Sequence, residues 1–331
     1  MKSYDFIAVG DIVTDAFIRL KDAKVNCDIN DDNCTITMRF GDKIPYEQVM
    51  EVKAVGNAAN ASVAAARLGL DSALVTDLGD DQHGADIVDK LRAEKVGTDF
   101  VTVHPGKTSN YHYVLWYEDD RTILVKHEEF DYRWPTIPAA PAWLYFSSLS
   151  ENSLAYHQAL ADYVKANPEV KLAFQPGTFQ IKLGAKKLQN IYEASEIVFM
   201  NTEEARRVLE TKETDVKKLL TSLRQLGPKM AVVTDGKAGA YLATDEGNWF
   251  IPPYPDPKPP LDRTGAGDAF ASTFTAALAL GETPETALTW APINSMSVVQ
   301  YVGAQEGLLT KSQLLDYLAK APADYHPKKL S

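Results

Sequence analysis

The sequence predicts a three-layer α/β/α sandwich with a small β-sheet standing outside it, on three observations. Short apolar runs alternate with longer stretches of helical period, the pattern of a parallel sheet covered by helices. Two segments break the alternation with the period-two pattern of exposed strands. A Gly-Ala-Gly run opens a late helix, where an α/β protein commonly places its ligand chemistry.

The expected core strands are residues 6–9, 73–76, 143–146, 171–174, 197–200 and 230–234, each apolar for about one strand length. Helical stretches are expected at about 57–68, 84–94, 153–166, 184–193, 202–210 and 215–226, with two or three more after residue 267. Residues 16–52 carry alternating pieces such as Cys34-Thr-Ile-Thr-Met-Arg-Phe40. Residues 110–117 and 122–127 flank the turn Glu118-Asp-Asp-Arg121 as hairpin strands do. The lid sheet is therefore expected from about 16–52 and 108–128, inserted in a single α/β core spanning 1–331. On the hairpin, Tyr111, Tyr113 and Tyr117 share a face with Leu115, suited to packing or to stacking on a base. The stretch Pro252-Pro-Tyr-Pro-Asp-Pro-Lys-Pro-Pro260 reads as a stiff connector delivering the chain to Asp262.

The composition, 45% hydrophobic and 24% charged over 331 residues, supports one large core plus an appendage. A formal net charge of -11 argues against a general nucleic-acid binder, which needs clustered Lys and Arg against phosphates. The first apolar run ends at Gly10-Asp11, wrong for a signal peptide, and no run approaches the ~20 apolar residues that span a bilayer. A cytoplasmic protein without nucleic-acid or membrane partners is expected. Cys27 and Cys34 flank Asn30-Asp31-Asp32-Asn33, so a hairpin disulfide is conceivable; the expectation taken is two free thiols in a reducing compartment. The six histidines are scattered without metal-ligand spacing, and are expected to play ordinary roles rather than hold zinc. Asp80-Asp81 and Asp119-Asp120 are expected to be solvated turns.

Chemistry concentrates in Asp262-Arg-Thr-Gly-Ala-Gly-Asp268. Gly265, Ala266 and Gly267 precede a helix, so unpaired N–H groups and the positive end of its dipole converge there with no bulky side chain in the way. They form a candidate anion hole. Asp268, in the first turn, is suited equally to take the proton of an attacking hydroxyl or to complement the helix dipole. Gly10-Asp-Ile-Val-Thr-Asp15 follows the first strand, placing carboxylates where open α/β sheets bind ligands, although Asp11 also suits a turn cap. Val55-Gly-Asn-Ala-Ala-Asn60 leads into a helix with Asn57 as expected cap and Gly69 as its stop. Asn201-Thr-Glu-Glu204 begins another helix, and Thr234-Asp-Gly-Lys-Ala-Gly239 closes a strand with a turn.

Asp-x-Thr-Gly-Ala-Gly-Asp-Ala-Phe resembles the signature of the ribokinase family, the PfkB-type carbohydrate kinases, and the other motifs follow in that family's order. The resemblance implies a ribokinase-like fold with a Rossmann-like central sheet and ATP-dependent phosphorylation of a small sugar. It implies Asp268 as the base, Gly265 to Gly267 as the anion hole, and Asp262 with Thr264 beside a monovalent cation, with K⁺ a candidate. It also gives Asp15, Gly56 and Asn60 to the acceptor, with Asp11 a further candidate there. Asn201 and Glu204 would organise Mg²⁺ and phosphates, Glu204 through water, while Thr234, Gly236 and Gly239 would meet ATP. The segment Tyr301-Val-Gly-Ala-Gln305 is similar to one near adenine and the cation, and Asn294 is a candidate adenine neighbour. In similar kinases lid sheets pair across a homodimer. Val55, Arg263 and Gln175 depart from the family pattern. Phe174-Gln-Pro-Gly-Thr178 is similar to a segment of adenosine-kinase-like members, so a nucleoside acceptor stands as the alternative; a non-catalytic nucleotide sensor would have lost the base or the anion hole, and this chain keeps both.

Overall fold

Strands buried on both faces need helices on both faces, and that requirement sets the architecture. The computed structural model describes residues 3–21, 23–27, 34–117 and 120–330. The chain enters through β1 (Phe6–Val9), whose Phe6 and Ala8 point into one apolar cluster and Ile7 and Val9 into the other. It then makes β2 (Val13–Leu20), β3 (Lys24–Asn26), β4 (Thr35–Thr37) and β5 (Tyr46–Val55) before α1 (Asn57–Arg67) returns it to the core. β6 (Ser72–Gly79), α2 (Gln82–Ala93) and β7 (Gly97–His104) extend the sheet on one side of β1.

A hairpin of β8 (Tyr111–Tyr117) and β9 (Asp120–Leu124) follows. The chain then crosses to the opposite side of β1 through β10 (Trp143–Phe146), α3 (Leu154–Ala166) and β11 (Lys171–Phe174). α4 (Thr178–Leu183), α5 (Gln189–Ala194), β12 (Ile197–Asn201), α6 (Thr202–Val208), α7 (Val216–Gln225) and β13 (Met230–Thr234) complete the parallel part. Antiparallel strands β14 (Ala240–Thr244), β15 (Gly247–Ile251) and β16 (Lys328–Leu330) finish that edge, and α8 (Ala266–Ala279), α9 (Pro284–Val298) and α10 (Lys311–Ala319) cover it.

Among the described residues the central sheet runs β16-β15-β14-β13-β12-β11-β10-β1-β6-β7. β1 pairs in parallel with both β10 and β6, so the winding reverses at β1 and opens a crevice at its carboxyl end. Residues of α1, α8 and α9 pack in one apolar cluster with Phe6, Tyr145 and Phe199; residues of α3, α5 and α7 pack in the other with Ile7, Phe146 and Phe174. The three-layer sandwich is as expected.

The lid is also present. Its order is β5-β2-β8-β9, with β2 beginning at Val13, slightly ahead of the expected boundary. Tyr113 pairs with Leu124, which bears out the hairpin, while residues 118 and 119 of its expected turn lie outside the described residues. The run after Cys34 forms only β4, in a two-stranded ribbon with β3. At its end Cys27 and Cys34 form a disulfide, which corrects the expectation of free thiols; residues 30–33 of that turn lie outside the described residues.

Other corrections are local. Of the helix expected at 184–193 only the part from Gln189 forms, as α5, because the chain leaves α4, which was not expected, at Gly184 and turns until Leu188. β7 and β14–β16 were not expected: β7 and β16 are the outermost strands, and all four lack the continuous buried apolar run of a central parallel strand. α1 is capped at Gly56 rather than Asn57, with no side-chain cap. Asp81 is no free turn residue, since it caps α2 through Gly84 N–H and accepts from the Ser109 hydroxyl. Among the described residues no helix is long and apolar enough to cross a membrane.

Candidate active site

The helix α8 begins with small residues for a steric reason. Gly265, its N-cap, has φ +79°, and a Cβ there would lie 2.3 Å from Ala304 Cβ. No side chain caps this end, and the Ala269 N–H, bonded to Gly265 O at 2.8 Å, marks where the helical ladder starts. Of the N–H groups before it, that of Ala266 bonds Arg263 O at 3.5 Å, and those of Gly267 and Asp268 lie ahead of the ladder, as at an anion-binding helix start.

Asp268 stands in that first turn with both carboxylate oxygens held. Asn60 Nδ2 donates to Oδ2 at 2.8 Å and Gln175 Nε2 donates to Oδ1 at 3.0 Å. Each amide is itself anchored: Gln305 Nε2 donates to Asn60 Oδ1 at 3.0 Å, and the Tyr145 hydroxyl donates to Gln175 Oε1. Asp268 keeps a partly open face, yet the protein around it raises its pKa by desolvation, with the two amide bonds pulling the other way. This is a carboxylate fixed in place by neutral donors, with no cation paired to it among the described residues.

The acceptor-side expectations converge on the same crevice. Gly56 has φ +117°, and a Cβ on it would meet Asp11 O at 2.8 Å, so its small size lets α1 start against the loop after β1. Asp15 lies in the lid strand β2 and pairs with Val52 on β5 and His112 on β8. Asp11 accepts from the Tyr132 hydroxyl at 2.8 Å. Two histidines expected to be ordinary meet here: His112 and His127 have ring centroids 5.2 Å apart. No sequence spacing announced them, because one sits in β8 and the other beyond β9.

On the other flank, Asn201 and Thr234 are register partners at the carboxyl ends of β12 and β13. Asn201 and Glu204 form a capping box, with Glu204 N–H on Asn201 Oδ1 at 2.8 Å and Asn201 N–H on Glu204 Oε2 at 2.9 Å. The helix-start reading of this motif is thus realised, and one Glu204 oxygen is left beyond it. Burial raises the Glu204 pKa, and the charge of Asp268 adds to the rise, which sets the two carboxylates within electrostatic reach. Gly236 and Gly239 bound the turn after Thr234, closed by Asp235 N–H on Gly239 O at 2.9 Å.

Asp262 accepts from Thr264 N–H at 2.9 Å, from the Thr264 hydroxyl at 2.7 Å, and from Gly303 N–H at 2.9 Å. All are neutral donors. Asn294, the candidate adenine neighbour, is fully buried, its amide donating to Thr273 and accepting from Leu309 N–H, so it ties α8 and α9 to the following loop. Gln305 and Gln175 are the residues whose roles the motifs understated.

Comparison with known proteins gives the family and the fold. A ribokinase of Bacillus subtilis (strain 168) is 28% identical over 275 residues, covering 80% of this chain and 87% of that protein. A 2-dehydro-3-deoxygluconokinase of Thermoproteus tenax is 28% identical over 278 residues, covering 80% and 84%. The structure of Arabidopsis thaliana ribokinase complexed with ribose and ATP superposes with a TM-score of 0.78 at 19% identity, over 96% of this chain and 99% of that one, a likeness of fold. Residues 21–311 match the pfkB family carbohydrate kinase description, and the chain therefore belongs to that family of kinases.

Proposed function

We propose that the chain transfers the γ-phosphoryl group of ATP to a hydroxyl of a small sugar, with Asp268 as general base. The observation that carries this is the Asp268 carboxylate, held by Asn60 and Gln175 beside the open start of α8. The acceptor oxygen loses its proton to Asp268 as its bond to phosphorus forms, and the oxygen bridging the β- and γ-phosphates leaves with ADP. The N–H groups at Gly265, Ala266 and Gly267 face the charge that collects on the transferring group. Asp15, Gly56, Asn60 and Asp11 hold the acceptor; Thr234, Gly236, Gly239 and Asn201 hold the nucleotide.

Magnesium fits the residues present. Mg²⁺ keeps most of its waters and takes few protein ligands. Among the described residues no group of three acidic, His or Cys side chains is placed to hold a metal ion by itself, but Glu204 has one oxygen beyond its capping bond. Glu204 would hold the hydrated ion, whose role is to offset phosphate charge. Asp262, buried and bonded only by neutral donors, fits a monovalent cation such as K⁺ beside Thr264. The reading includes a homodimer through the lid, whose Val49, Tyr113 and Leu124 are exposed; light scattering of the purified chain tests it.

The test of function is ADP release with ribose, fructose, 2-keto-3-deoxygluconate and adenosine, run with Mg²⁺ and with K⁺ or Na⁺. Turnover on a sugar supports the reading, and turnover confined to adenosine moves it to a nucleoside kinase. ATP binding without a phosphorylated product from any of them leaves a nucleotide sensor.

A further inference from the structure

Among the described residues, four polar atoms at the acceptor side are shut from solvent and have no hydrogen-bond partner: Asp11 Oδ2, Asp15 Oδ1, His112 Nε2 and His127 Nδ1. They are close together. His127 Nδ1 comes to 3.2 Å from Asp11 Oδ2 and His112 Nδ1 to 3.4 Å from Asp15 Oδ1, neither aligned as a hydrogen bond. Asp11 is only 5% exposed and Asp15 8%. Buried polar groups in native proteins almost always have partners, so a concentration of orphans in one crevice marks a place where a ligand supplies them.

The position is that of the acceptor. The Gly56 backbone packs on Asp11, and Phe179 sets its ring 5.3 Å from that of His127. The two segments carrying Gly56 and Phe179 are the same two that reach Asp268, through Asn60 and Gln175. A molecule presenting one hydroxyl to Asp268 has the histidine pair beside its remaining atoms.

Chemistry narrows what that molecule is. A carboxylate only accepts, a neutral imidazole donates at one nitrogen and accepts at the other, and a hydroxyl does both. Neighbouring hydroxyls can therefore satisfy carboxylate and imidazole together. A carboxylate or phosphate on the acceptor would meet Asp11 and Asp15 instead. Of the cations near the lid, Arg19 pairs with Glu47, Lys53 with Asp86 and Lys107 with Glu128, and Lys126 lies 3.9 Å from Glu128. We propose that His112 and His127 bind the acceptor, and that with Asp11 and Asp15 they form a subsite for adjacent hydroxyls of an uncharged polyol, excluding anionic sugars.

The inference rests on the kinase reading, and one experiment separates the two. ADP release by the full chain is measured with ribose, fructose and adenosine against fructose 6-phosphate and 2-keto-3-deoxygluconate. The expected result is a neutral acceptor ahead of both anionic ones by about 100-fold in kcat/KM. On that acceptor, His112→Ala and His127→Ala each raise acceptor KM about tenfold with ATP KM unchanged, while His112→Asn and His127→Asn, which keep a donor and an acceptor, fall between. Circular dichroism melting checks folding, and the Asn variants carry the test if the Ala variants melt early. An anionic acceptor preferred by the wild type overturns the substrate class, and unchanged acceptor KM in folded variants overturns the histidine assignment. Absence of turnover on all five overturns the kinase reading and this inference with it.

Discussion

Asp268 and the pair Asp11 and Asp15 are all carboxylates of the same crevice, yet they are held in opposite ways. Both oxygens of Asp268 accept from side-chain amides, whereas Asp11 and Asp15 each keep one buried oxygen without a partner. On the proposed assignment the difference teaches that the transfer end is organised before any ligand arrives, as electrostatic catalysis requires, and the acceptor end is completed by what binds there. Asp268→Asn tests the first half most severely. It is expected to lower kcat by about 10²- to 10⁴-fold, with ATP affinity kept, as read by ADP release and nucleotide titration. Unchanged turnover would move the base elsewhere.

The proposed anion hole gives the next largest expected effect. In Gly265→Ala the new methyl would lie 2.3 Å from Ala304 Cβ and 2.7 Å from its Cα, at a φ that disfavours side chains, so the start of α8 must shift. Activity is expected to fall by up to about 100-fold, from misplacing the reacting groups, and stability by about 1–3 kcal/mol. Gly267→Ala is the control. Its methyl would meet only Gln175 Nε2, at 3.9 Å, so the melting temperature should hold while activity reports on crowding at the phosphoryl site. Equal melting losses in both variants would refute the steric account of Gly265.

What was legible in the sequence follows the same division. Strands such as Trp143–Phe146 could be read because burial on both faces leaves a continuous apolar run, whereas Gly97–His104 mixes half-buried and exposed positions and reads as loop. The helix start at the proposed transfer end was legible because Gly265 to Asp268 is contiguous, and backbone geometry at a helix start is encoded locally. Its support was not, since Asn60 reaches Asp268 across 208 residues and Gln175 across 93. Gln175 showed itself only as a departure from the family pattern. His112 and His127 gave no signal, because only the lid's pairing with β2 brings them beside Asp15 and Asp11.

Gln175 allows the preorganised end to be adjusted without being abolished. Desolvation raises the Asp268 pKa, and the Gln175 bond opposes that rise. Gln175→Met removes the donor, so the pKa moves further up and the base is ionised only at higher pH. The acid limb of kcat/KM is expected to move to higher pH, with a severalfold loss at neutral pH that recovers in alkaline buffer. A uniform loss at every pH would mean that Gln175 acts on position alone.

The smallest effect concerns stability and lies behind the acceptor end. Asp77, in β6, is held by His104 Nε2 at 2.7 Å, yet burial dominates and lifts its pKa from 3.8 to about 6, with the charges of Asp11 and Asp131 adding to the rise. The His104 bond and charge act the other way. A raised carboxyl pKa means that the fold prefers the protonated form. Its contribution is complete below 3.8 and is lost as pH climbs through about 6, leaving an ionised Asp77 that costs about 1–3 kcal/mol above that range. Asp77→Asn keeps an acceptor for His104 and cannot ionise. Denaturant unfolding should find the variant more stable than wild type by about that amount at pH 8, the gap closing towards pH 4. A variant less stable by the same amount at both pH values would show that the carboxylate is a net asset to His104. The acceptor end would then carry no stored charge for a ligand to relieve, and the contrast with Asp268 would narrow to hydrogen-bond count.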